Sequence, residues 1–120
     1  MRFATLGSGS AGNAVLIEHA GTALLIDCGL SWRQVERRAA RLDFDLTTLH
    51  AVLVTHEHDD HVSGVAMVAR RLGIPVYLSG GTRQAAGGSL VGLHCVREVL
   101  PEHPFELGPF SILPLIVPHD

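Results

Sequence analysis

One stretch, "HAVLVTHEHDDHVSGV", constrains this chain more than any other. "HAVLVT" (50–55) is a short apolar run and reads as a buried strand. Directly after it His56, His58, Asp60 and His61 follow in the spacing H-x-H-x-D-H. "VSGVAMVARRLG" (62–73) then has helical periodicity and ends near Gly73, with Arg70 and Arg71 suiting the negative end of the helix dipole. "PVYLS" (75–79) reads as the next strand, so the unit is long enough for a parallel crossover.

The spacing in that loop has a chemical meaning. In an extended segment His56 and His58 project to the same side and can share one metal ion. Asp60 and His61 stand where the chain turns into a helix, so they point to a neighbouring position. One loop can therefore serve two adjacent metal ions, and two metals about 3.5–4 Å apart can activate a water and polarise the bond it attacks. The bland alternative is a polar loop in which Asp59 or Asp60 only caps the helix. Three His and two Asp within positions 56–61, immediately after an apolar strand, fit that poorly.

Upstream, "RFATL" (2–6), "AVLIE" (14–18) and "ALLID" (23–27) read as three short strands joined by tight turns, an antiparallel meander. The first turn, "LGSGSAGNA", contains Gly7, Gly9 and Gly12 in the order G-x-G-x-x-G, with Asp27 at about the distance a dinucleotide fold uses for a ribose. That fingerprint needs a helix starting at the glycines. Here the β-rich "NAVLIEHAGT" follows, so a turn between antiparallel strands is expected, and no nucleotide cofactor. From Ser31, a plausible N-cap, "SWRQVERRAARL" places Trp32, Val35, Ala39 and Leu42 along one helical face. Arg33, Arg37 and Arg41 lie four apart with Arg38 beside them, either a solvated face or one that meets phosphates. Beyond residue 79, "GGTRQAAGG" can hold a short helical turn before a poorly patterned stretch. "PFEL-GP-FSILPLIV" looks like two strands around a Gly-Pro turn, Pro114 putting the last at an edge or bulge.

Composition narrows the function classes. The chain has 120 residues, 47% hydrophobic and 18% charged, which suits one globular domain with a real core. Aromatic residues make up 5%, so that core must be aliphatic. A net charge of -3 excludes a generally basic nucleic-acid binder but leaves room for a local basic face. Eight His residues are many for this length and hint at metal. Cys28 and Cys95 lack CxxC spacing and read as two buried thiols in a reducing compartment. The N-terminus has no apolar run of signal-peptide length and nothing approaches a membrane span, so a cytoplasmic protein without membrane contact is expected.

Asp27 in "LLIDCG", "THEHDDH" and the terminal "PHD" resemble the first three motifs of the metallo-β-lactamase-fold hydrolases. "GSGSAGN", "LIDCGLS", "VTHEHDDHVSGV", "GIPVYLS-GGT" and "VPHD" together resemble the bacterial WalJ-type (YycJ-like) branch, which is associated with exonuclease action on DNA. The resemblance implies an α/β fold, the N-terminal half of an αβ/βα sandwich with a mixed β-sheet flanked by helices. It implies two divalent metal ions, zinc first and manganese or iron as alternatives. His56, His58 and His119 would hold the first ion, Asp60 and His61 the second. Asp60 would also orient the attacking water, and Asp27 would support the ligands by hydrogen bonding. Ser8, Ser10 and Asn13, at the rim of the metal cleft, and Arg33 and Arg37 become candidate substrate contacts.

Two ligands of the family pattern, a bridging Asp and a last His, have no counterpart here; Asp120 does not match the bridging position. His19, His50, His94 and His103 read as surface or turn residues. Residues 1–120 are therefore expected to form a single domain cut after the third motif. A missing C-terminal half would complete the fold, an apolar sheet face would stand uncovered, and metal binding by the chain alone would be incomplete. The leading function is a metal-dependent phosphodiesterase or nuclease acting on DNA. A small-molecule hydrolase for a thioester, lactone or lactam shares the same ligands and stays open, as does a non-catalytic remnant.

Overall fold

The computed structural model describes residues 1–93 and 95–116. Strands β1 (Arg2–Gly7), β2 (Ala14–His19) and β3 (Thr22–Ile26) form an antiparallel meander, as the short apolar runs and the turn signals between them predict. Helix α1 (Trp32–Arg41) starts at Ser31, whose hydroxyl accepts from the Gln34 N–H while the Gln34 side chain accepts from the Ser31 N–H. This reciprocal cap satisfies two of the donors that every helix start leaves open. Val35 and Ala39 are buried and Trp32 is half-buried beneath Arg71. Leu42 departs from the expected apolar face: it follows the last helical turn and is exposed.

Strand β4 (Leu49–Leu53) lies parallel to β3, and β5 (Val76–Ser79) and β6 (Val96–Val99) continue the parallel half. The six strands run β1-β2-β3-β4-β5-β6, so the sheet is mixed. The single helix expected over 62–73 is two pieces, α2 (Asp59–Val62) and α3 (Val65–Leu72). The break comes at Gly64, whose N–H bonds the Cys28 carbonyl at 2.8 Å. The short helical turn expected after β5 is the seven-residue helix α4 (Gly80–Ala86), which starts from an N-cap at Ser79. Strand β6 was hidden in the poorly patterned stretch because "VREV" is an edge strand with no buried residue to mark its inner face.

The two sheet faces are covered differently. Ala23 and Leu25 of β3 and Val52 of β4 pack with Val35 and Ala39 of α1 and Val65 and Val68 of α3. Leu24 and Ala51 point the other way and are buried with Phe110. Phe110 belongs to a hairpin of β7 (Phe105–Leu107) and β8 (Phe110–Ile112), which among the described residues forms a separate two-stranded sheet. Strand β8 stops before Pro114. The face expected to stand open is therefore covered in part. Beside the hairpin, Leu113, Leu115 and Ile116 remain exposed. Among the described residues the buried hydrophobic core is aliphatic apart from Cys28, Phe44 and Phe110. Each fully buried Leu or Val contributes about 1.5–3 kcal/mol. Both cysteines are free thiols, Cys28 buried but Cys95 only half so.

Candidate metal centre

The parallel pairing of Ile26 with Leu53 brings the ends of β3 and β4 side by side. The loops that leave them therefore open at one sheet edge, where ligands of open α/β sheets usually bind. At the end of β3 Asp27 turns into the left-handed region, φ 60°, and its N–H bonds the Leu53 carbonyl at 2.7 Å. Asp and Asn tolerate this conformation better than most residues. The turn sends the carboxylate, 5% exposed, into the loop that follows β4.

There Oδ1 accepts from the Thr55 N–H at 2.7 Å. Oδ2 accepts from the Thr55 hydroxyl and, at 2.7 Å, from His61 Nδ1. An ionised carboxylate only accepts, so His61 carries its proton on Nδ1 in this pair and keeps Nε2 as its ligating nitrogen. His61 Nε2 stands 3.7 Å from Asp60 Oδ2. The His56 ring lies 3.7 Å from that of His61 and 4.9 Å from that of His58, centroid to centroid. One donor atom from each of Asp27, His56 and His61 falls within 4.8 Å of the others. Burial, with His61 next, holds His56 below the ordinary imidazole range and favours the neutral form that binds metal. Imidazole nitrogens with carboxylate oxygens are a donor set that suits zinc and also manganese or iron. The residues present thus fit a divalent ion.

A third loop locks onto this corner. The glycine turn between β1 and β2 delivers Asn13, whose N–H bonds the Asp60 carbonyl at 2.6 Å. The Asn13 amide also donates to Asp60 Oδ2 at 3.1 Å and to the Gly9 carbonyl at 2.9 Å. Gly29 lets the chain after Asp27 pass against the backbone of Asp60, which a Cβ there would strike. A Cβ at Gly12, φ 137°, would in turn fall 2.7 Å from the Gly29 carbonyl oxygen, so both positions need a residue without Cβ. Cys28 runs between these loops; burial first, and the Asp27 carboxylate after it, push its thiol up to about 11.

The structure brings together Asp27, His56, Asp60 and His61, with His58 exposed at the N-cap of α2 beside them. Neither Asp59 nor Asp60 is the helix cap. His119 lies outside the described residues, as does His94. Ser8 and Ser10 are exposed on the glycine turn, which joins antiparallel strands and leads into no helix. Arg33 and Arg37 are exposed on α1, whereas Arg38 Nη1 is held by the Leu6 carbonyl at 2.6 Å. His50 accepts weakly from the Ala23 N–H at 3.5 Å and His103 bonds the Pro101 carbonyl at 2.9 Å. Sequence reasoning did not single out Thr55; its one signal is a hydroxyl at the strand end beside the first His. Asn13, the remaining candidate substrate contact on that turn, has its amide turned to Asp60.

The sequence model of the Metallo-beta-lactamase superfamily matches residues 7–119. The chain belongs to that superfamily. It is 38% identical over 88 residues to "Exodeoxyribonuclease WalJ" of Streptococcus pneumoniae, covering 73% of this chain and 33% of that protein. It is 36% identical over 77 residues to "Exodeoxyribonuclease YycJ" of Bacillus anthracis, covering 64% and 29%. The chain thus spans about a third of the length of these curated relatives. Among solved structures the Rm3 metallo-beta-lactamase superposes with a TM-score of 0.77 at 22% identity, covering 91% of this chain and 46% of that one. This places the mixed sheet with flanking helices in the metallo-beta-lactamase fold. No helix among the described residues is long and apolar enough to cross a membrane.

Proposed function

We propose that the chain is the metal-binding part of a phosphodiesterase that degrades DNA from an end. The observation that carries this reading is the tethered cluster of His56, Asp60 and His61 around buried Asp27, in a chain similar to two proteins that bear exodeoxyribonuclease names. His56, His58 and His119 would hold one divalent ion, zinc in the first instance, and Asp60 and His61 a second. When bound, such ions supply Lewis acidity toward the phosphate and an activated water at neutral pH. Asp27 orients His61 and keeps its Nε2 directed away from the carboxylate. Asn13 restrains Asp60, the residue assigned to orient the attacking water. Ser8 and Ser10 at the turn and Arg33 and Arg37 on α1 are the candidate phosphate contacts, exposed and outside the hydrogen-bonded corner. Residues 1–120 act as one domain in this reading. The resemblance also implies a bridging carboxylate and a last His, and this reading assigns neither to a residue of the chain. The cytoplasm is the proposed location.

The test is an assay of the protein with added zinc or manganese against linear DNA, RNA, a generic phosphodiester, and thioester, lactone and lactam substrates. Metal-dependent release of nucleotides from DNA ends, lost in His56→Ala and in Asp60→Ala, is expected. Hydrolysis confined to the small-molecule substrates would replace this reading with the small-molecule one. Metal binding without any turnover would leave a non-catalytic remnant.

A further inference from the structure

We infer that Thr55 is a positioning residue: its hydroxyl relays the Asp27 carboxylate to His56 and selects the tautomer of that ring. The inference rests on the reading of His56 and His61 as metal-facing side chains. Thr55 Oγ1 lies 2.5 Å from Asp27 Oδ2 and 2.9 Å from His56 Nδ1. A hydroxyl has one proton to donate and lone pairs to accept with. The ionised carboxylate cannot donate, so the hydroxyl proton goes to Asp27. Toward His56 the same oxygen then acts only as acceptor, and the ring must bring its proton on Nδ1.

His56 consequently offers Nε2 as its ligand atom, just as His61 does through its direct bond to the same carboxylate oxygen. One oxygen, Asp27 Oδ2, thereby sets two imidazoles, one directly and one through Thr55. Metal-bound imidazoles commonly give their second nitrogen to such a partner, and losing the partner typically weakens metal binding 10–100-fold. The Thr55 N–H bond to Oδ1 is a backbone bond and survives a change of side chain. Thr55→Val therefore removes the relay while keeping the shape and the loop anchor.

The test is long-range proton–nitrogen NMR of the histidine rings in the metal-free full chain at about pH 8, where an ordinary imidazole is neutral. Both His56 and His61 are expected to carry the proton on Nδ1. In Thr55→Val His56 should shift toward the Nε2–H form while His61 stays, and zinc affinity measured by calorimetry should fall about 10–100-fold. Thr55→Ser should restore both. A wild-type His56 protonated mainly on Nε2 overturns the inference, and that measurement needs no variant to fold. So does a Thr55→Val protein that keeps the Nδ1–H form. Correct tautomers in a protein that leaves DNA intact would sink the proposed activity alone.

Discussion

The corner around Asp27 and the arginine face of α1 both stood out in the sequence as chemistry, yet the fold treats them in opposite ways. At the corner, a nearly buried carboxylate accepts three hydrogen bonds, and three loops meet through Asn13, Gly29 and Asp60. On α1, Arg33, Arg37 and Arg41 reach into solvent, and Arg38 alone is tied to another element. Groups held by other groups are preorganised for a bound ion, whereas solvated arginines keep the freedom to follow a flexible polyanion. The contrast also predicts where mutation hurts: at the corner through stability and metal together, at the solvated arginines of the helix through binding alone.

Replacing Asp27 should have the largest effect. Asp27→Ala leaves the Thr55 N–H, the Thr55 hydroxyl and His61 Nδ1 without their acceptor and puts Ala at a left-handed φ. A loss of about 2–4 kcal/mol in urea unfolding is expected, with weaker zinc binding by calorimetry. An unchanged unfolding midpoint would erase the contrast between the regions. Asn13→Ala, which frees Asp60 but keeps the backbone bond, should cost about 1–2 kcal/mol and weaken zinc binding less. Arg38→Ala removes one charged bond to a backbone carbonyl on the helix side, and about 1 kcal/mol is expected from the same measurement. The double change Arg33→Ala with Arg37→Ala should move stability by no more than about 0.5 kcal/mol. It should lower DNA affinity and flatten its salt dependence in a binding titration. Wild-type salt dependence in that variant would make the face a merely solvated one.

Much of the architecture was legible in local patterns. The Ser31 cap and the Gly-Pro hairpin depend on residues a few positions apart, and the three-strand meander and the crossover from β4 to β5 on successive short patterns along the chain. Legibility failed where a distant partner decides. The helix expected over 62–73 divides because Gly64 bonds Cys28, and "VREV" is a strand only because β5 offers it an edge. The bond from the Asn13 amide to Asp60 spans 47 residues, so no local pattern announces it.

By itself the sequence determined the chemistry at hand: nitrogen and carboxylate donors concentrated after a buried strand, with a lone Asp at the end of another. Donor type and local spacing are properties of neighbours along the chain. Only the tertiary structure decided that Asp27 reaches His61, 34 residues on, and Thr55, 28 residues on. That meeting follows from the parallel register of Ile26 on Leu53 and from the close passage at Gly29. Register and close approach are set by packing across the sheet, which no short window of sequence contains.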